Sequence, residues 1–161
     1  MRRYVNGVYQ GTNYTFTWTD GDGRTRFTIS GTHHSERGTP PPKDAYHFAS
    51  AAELAWSNYL LRLVPEQLKE DNAIYFSLGG SDWVRIGPGF LDLCVKGQTI
   101  HCDADEIDTV NLNQGIFTIK RTDAQEGWFS SKGVFKFNYG SLANAQLFAF
   151  VLDKLTGVRI F

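Results

Sequence analysis

The stretch Gly133-Val134-Phe135-Lys136-Phe137-Asn138-Tyr139-Gly140-Ser141 decides how the chain is read. Phe135 and Phe137 alternate with Lys136 and Asn138, the period of a half-buried strand, and the run stops at Gly140-Ser141. Beyond it, Leu142, Ala145, Phe148, Ala149, Leu152 and Leu155 recur at three- and four-residue steps. This spacing predicts one amphipathic helix over Ser141–Thr156, with Ser141 as N-cap, Gly157 as its stop, and Leu147, Phe150 and Val151 widening the apolar stripe.

Working back from that closing helix, strand and turn signals follow one another quickly from Ala73 onward. Ile74–Leu78, Trp83–Ile86, Phe90–Val95, Thr99–Cys102, Val110–Leu112 and Ile116–Lys120 are separated by Gly79-Gly80-Ser81-Asp82, Gly87-Pro88-Gly89, Lys96-Gly97-Gln98 and Asn113-Gln114-Gly115. With Phe135–Phe137 they predict a meander of six or seven antiparallel strands. Upstream, Tyr14, Phe16 and Trp18 alternate with threonines, and Phe27 and Ile29 alternate with Arg26, Thr28 and Ser30. The connector Asp20-Gly21-Asp22-Gly23 suits a tight turn, so residues 14–31 form a β-hairpin. The proline run Pro40-Pro41-Pro42 marks a loop. A helix over 45–63 follows, with a capping box at Ser50-Ala51-Ala52-Glu53 or a start nearer Asp44. Its core stripe is Ala52, Trp56, Tyr59, Leu60 and Leu63, and Pro65 either ends it or opens a short second helix. The expected architecture is one α+β domain over residues 1–161: the 14–31 hairpin and 45–63 helix attached to a 73–157 core.

Residues 73–157 resemble the pleckstrin-homology superfold, specifically bacterial PH-like and GRAM-like domains. The resemblance rests on short antiparallel strands ending in one helix, and on phrases such as Gly89-Phe90-Leu91-Asp92-Leu93-Cys94-Val95-Lys96-Gly97 and Trp128-Phe129-Ser130-Ser131-Lys132-Gly133-Val134-Phe135. It implies an antiparallel sheet or open barrel plugged by the C-terminal helix, and a non-enzymatic adaptor contacting a protein or membrane-proximal partner. Phosphoinositide-binding members carry a basic cluster around the first hairpin. Here that turn is Gly79-Gly80-Ser81-Asp82 with Arg85 alone nearby, so phosphoinositide recognition is not expected.

Charge excludes one class of partner. Sixteen Lys and Arg against seventeen Asp and Glu leave a net charge of −1, so there is no general attraction to nucleic acid or anionic lipid. Residues 1–43 are mildly basic, with six basic and three acidic groups. Two cysteines, Cys94 and Cys102, are too few for a disulfide framework, although a turn at Lys96-Gly97-Gln98 could set them on neighbouring strands; two free thiols in a reducing, cytoplasmic setting are the simpler expectation. No run approaches the ~18 apolar residues of a membrane span. The chain is expected to be soluble, or the soluble portion of a longer anchored one.

Residues with chemical potential lack the partners that chemistry needs. His33 and His34, with Glu36 nearby, are adjacent and so point to opposite sides of a strand, which keeps them from sharing one ion. His101 and Cys102 are neighbours on a strand for the same reason, whereas catalytic Cys and His meet from separated positions. Asp103, Asp105, Glu106 and Asp108 miss the spacing and central glycine of a calcium loop and read as a solvated turn. Gly79-Gly80 and Gly87-Pro88-Gly89 open no helix, so they are turns and not phosphate cradles. No catalytic residue, metal site or cofactor is expected. Candidate contact residues are Trp128 and Phe129, two large rings in a polar stretch, with Arg24 and Arg26 beside Phe27, and Arg85. Two other readings remain open: a small enzyme or ligand-binding domain with a pocket lined by Trp18, Trp56 or Trp83, and a self-associating homo-oligomeric module.

Overall fold

In a computed structural model of the chain, residues 2–6, 8–20, 24–35, 40–126 and 131–160 are described. They show an α+β protein with three antiparallel sheets, and the chain divides into two compact units, Met1–Trp56 and Ser57–Phe161.

The first unit contains β1 (Arg2–Val5), β2 (Val8–Thr19) and β3 (Thr25–His33), ordered β1-β2-β3. The period-two reading holds on β2, where Tyr14, Phe16 and Trp18 are half-buried while Thr15, Thr17 and Thr19 are exposed; on β3 Ile29 is half-buried but Phe27 is 55% exposed, alongside exposed Arg26 and Thr28. The strands run further than the aromatic alternation, and β1 adds a third that four residues were too few to announce. Asp44 ends the loop and starts α1 (Ala45–Leu61), a continuous helix within which the boundary between the units falls, its Oδ1 accepting the Tyr46 amide at 2.9 Å. Ser50 therefore lies inside α1 and not at its cap. The Tyr14 hydroxyl donates to the same Asp44 oxygen at 2.5 Å, which raises the tyrosine pKa and lowers that of the carboxylate. Tyr46 packs its ring on Tyr14 and Phe16, with centroids 5.4 and 5.7 Å away.

In the second unit α2 (Val64–Asp71) restarts with Pro65 in its first turn, where the missing amide hydrogen costs no helical bond. Then come β4 (Ile74–Gly79), β5 (Asp82–Gly87), β6 (Phe90–Val95) and β7 (Gln98–Asp103), hydrogen-bonded in sequence order as one sheet. After a 3-10 turn at Ala104–Glu106, β8 (Ile107–Asn113), β9 (Ile116–Glu126) and β10 (Ser131–Asn138) form a second sheet. The described residues of this unit thus hold seven strands in two separate sheets, with no closed barrel.

Helix α3 (Ala145–Thr156) completes the core and is stopped by Gly157 at φ 73°. It begins later than the stripe suggested. Ser141 belongs to a 3-10 turn, Tyr139–Ser141, and its hydroxyl donates to the Asn138 carbonyl at 2.8 Å. The Ala143 amide then bonds to the Ser77 carbonyl at 3.0 Å, and Asn144 at φ 54° turns the chain into the helix. Phe148, fully buried, meets Phe76 edge-on at 5.4 Å, Phe117 at 5.4 Å and Phe137 at 6.2 Å. Leu147, Val151 and Leu152 are buried beside it, but Phe150 faces out under the Lys154 ammonium, 5.8 Å from its ring centre.

One more expectation is corrected. On α1 the buried positions are Ala49 and Ser57, while Trp56 and Tyr59 are 45% and 51% exposed; the helix ends at Leu61, short of Leu63, which is 37% exposed, and of the expected stripe only Ala52 and Leu60 are half-buried. Cys94 and Cys102 are both free; registered against Thr99 and Leu91 respectively, they occupy opposite faces of the sheet and cannot bridge. No helix among the described residues is long and apolar enough to cross a membrane.

Replacing Phe148 by Ala should lower stability by about 3–5 kcal/mol, because the emptied space lies between two sheets that cannot both close on it. Phe150→Ala should stay within about 0.5 kcal/mol, as an exposed change does. Denaturant unfolding of the two variants measures the contrast.

Candidate functional site

The inward residues of the four-stranded sheet, Ile74, Phe76, Leu78, Val84, Ile86, Leu91 and Leu93, are all buried. Side chains alternate along a strand, so the intervening residues form the opposite, solvent-facing side. Strand register aligns them. Tyr75 pairs with Arg85, Arg85 with Asp92, and Asp92 with His101, which makes one row of polar groups across four strands. The neighbouring rows hold Ser77, Trp83, Cys94 and Thr99 on one side, and Phe90 with Asp103 on the other.

The row is electrostatically knit. His101 Nδ1 lies 2.6 Å from Asp92 Oδ1, and its Nε2 lies 3.4 Å from Asp103 Oδ1. Arg85 Nη1 approaches the other Asp92 oxygen at 3.9 Å. Asp92 is only 19% exposed, so it is the fixed centre, whereas His101 at 58% is open to solvent. The hydrogen bond to Asp92 is the largest cause of a raised His101 pKa, with the Asp103 carboxylate adding to it. Aromatic rings flank the charges: Tyr75 and Trp83 are 6.0 Å apart at one side, and Phe90 covers His101 at 5.3 Å on the other.

Within this row no thiol is paired with a base. Cys102 points away from His101 into the core, and burial pushes its thiol pKa up. Arg121, beside it, is engaged by Asp123 at 2.9 Å and Glu106 at 3.3 Å. The two ring nitrogens of His101 address different carboxylates and do not converge with them on one point. Among the described residues no three His, Cys, Asp or Glu side chains are placed to hold a metal.

The other sequence candidates fall elsewhere. Trp128, Phe129 and Glu36 lie outside the described residues. Arg24 and Arg26 are exposed near the β2–β3 turn of the first unit, where Arg26 Nη2 pairs with Asp20 at 2.7 Å; Arg85 belongs to the second unit. His33 is buried at 8% exposure, its Nδ1 accepting the Ser35 amide at 3.3 Å, and His34 is exposed. Asp105 is exposed in the 3-10 turn, as expected of a solvated turn, but Asp103 belongs to β7, where its amide donates to Glu106 at 3.2 Å, and exposed Asp108 belongs to β8. The two glycine-containing stretches are turns, with Gly80 and Gly89 at positive φ.

Neither of two surface hollows is lined by Trp18, Trp56 or Trp83. One, of about 450 Å³, is wide open beside Pro40, Pro41, Pro42 and His47. The other, of about 220 Å³, lies among Leu60, Gln67, Tyr75, Ser77 and Asn144 and is below the ~300 Å³ where ligand pockets begin. The chain matches no family model and no curated protein.

His101 should titrate above the ordinary imidazole value of 6.5, and Asp92→Asn should bring it back down. Histidine carbon-bound proton shifts followed against pH measure both. Because the folded-state value is raised, the stabilisation is full below the unfolded pKa and is lost as pH rises through the folded one. The wild-type advantage over His101→Ala should therefore be present at pH 5 and fade in alkali.

Proposed function

We propose that the chain is a non-enzymatic binding module whose second unit is a PH-like, GRAM-like domain, and that the outer face of its four-stranded sheet contacts a protein partner. The observation that carries this reading is the filled interior: Phe148, Leu147, Val151 and Leu152 of α3 occupy the core with the inward residues of both sheets. Function is then left to the surface. Short antiparallel strands followed by one closing helix is the order that the PH resemblance implies, and the order of β4 to β10 and α3 supports the assignment.

A protein is favoured over a membrane as the partner. The β4–β5 turn, Gly79-Gly80-Ser81-Asp82, carries no cation, and Arg85 is turned toward Asp92. A headgroup phosphate would find no basic cluster there. The face offers instead two exposed or half-exposed aromatic groups beside a nearly balanced set of charges, a composition suited to specific protein contact. Two free thiols agree with a cytoplasmic location.

A photoreactive phenylalanine analogue at Tyr75 should capture one protein that the same analogue at exposed Gln146 does not. Purified, that protein should bind wild type and lose about tenfold or more in affinity to Tyr75→Ala/Arg85→Ala. Equal capture from both positions, or unchanged affinity, would overturn the assignment of the face. Substrate turnover that depends on His101 would overturn the non-enzymatic reading.

A further inference from the structure

Helix α1 has one acid or base of fixed charge, Glu53, in its 17 residues. An exposed helix ordinarily turns a charged face to water, and one that is apolar around most of its circumference is ordinarily covered. Yet Phe48 is 65% exposed, Leu54 54% and Tyr59 51%. Phe48, Ala52, Ala55 and Tyr59 follow steps of four, three and four residues, so they share one stripe.

The order of those steps points to the occupant. It reads the same in both directions, large-small-small-large, about a centre between residues 53 and 54. We propose that α1 is a self-association surface that pairs antiparallel with α1 of a second copy of this chain about a two-fold axis at that centre. Phe48 of each copy then meets Tyr59 of the other, and Ala52 meets Ala55. The small residues let the backbones approach at the middle while the rings close the ends. A two-fold interface requires a self-complementary surface of this kind; an unrelated partner places no such demand on the sequence.

Charge and dipole agree with the antiparallel sense. The same alignment brings exposed Arg62, just beyond the C-terminal end of α1, beside the second copy's Asp44, the acid that caps its N-terminal end. Antiparallel helices also set opposite macrodipole ends together. No charged side chain lies on the four stripe positions themselves, so none is stranded by the pairing.

Sedimentation equilibrium over a concentration series should show a reversible monomer–dimer system. Ala55→Glu, at an exposed position with circular dichroism confirming an unchanged fold, should weaken it on the order of 100-fold or more, because the carboxylate would be buried without a partner. In a Cys94→Ser background, a mixture of Phe48→Cys and Tyr59→Cys chains should form a disulfide-linked heterodimer. Phe48→Cys alone should not cross-link, since eleven residues at 1.5 Å each set the two sulfurs about 16 Å apart along the axis. A chain that stays monomeric at every concentration overturns the proposal, as does a dimer indifferent to Ala55→Glu or one that links Phe48→Cys to itself.

Discussion

The second unit depends on one aromatic contact. Phe148 of α3 stands edge-on to Phe76 of the four-stranded sheet and to Phe117 of the three-stranded sheet, at the same 5.4 Å centroid distance. Phe117 in turn lies against Phe137 at 5.3 Å. Neither sheet is closed on itself, so neither can bury its apolar face alone. A ring that touches both makes the three layers conditional on one another. Edge-to-face packing adds to the area term because the positive rim of one ring meets the negative face of the next.

From that constraint the character of the opposite surface follows. Once Ile74, Phe76, Val84, Ile86, Leu91 and Leu93 are committed inward, period two leaves Tyr75, Arg85, Asp92 and His101 facing out. The pairing register then sets them side by side. Asp92 is the pivot because it is the least exposed of the charged groups and answers both Arg85 and His101. Ion pairs this open to water contribute little to stability. Their effect lies in holding the orientation of side chains that would otherwise sample many rotamers, and a pre-set surface binds at a smaller entropic cost.

Much of this was legible in the residues. The β2–β3 hairpin, the meander, the restart at Pro65 and the stop at Gly157 all follow from alternation, turn chemistry and capping. The polar row was legible too, although reading strands singly hides it. Pro88-Gly89 and Lys96-Gly97 are two-residue turns, and a two-residue turn fixes which residues oppose each other. Applied across β5, β6 and β7, that rule sets Arg85, Asp92 and His101 in line. The start of α3 was hidden for a different reason: Ser141 is an equally good hydrogen-bonding residue for a 3-10 turn, and the choice was made by a distant group, the Ser77 carbonyl that takes the Ala143 amide. Trp128 and Phe129, candidates for contact because two large rings fall in a polar stretch, lie outside the described residues.

Helices α1 and α3 show what apolar periodicity does and does not specify. Both are equally apolar on average, but α3 gathers its apolar residues to one side while α1 spreads them around its circumference, although sequence spacing assigns each a face. In α3 the stripe finds strands from both sheets, because the chain entering it has just finished β10 and is tied to β4. In α1 the fully buried positions are Ala49 and Ser57, two of its smallest residues, and the rings at Phe48 and Tyr59 are left toward solvent. A stripe therefore fixes which residues act together, while the neighbouring elements, or a neighbouring molecule, determine what they act upon.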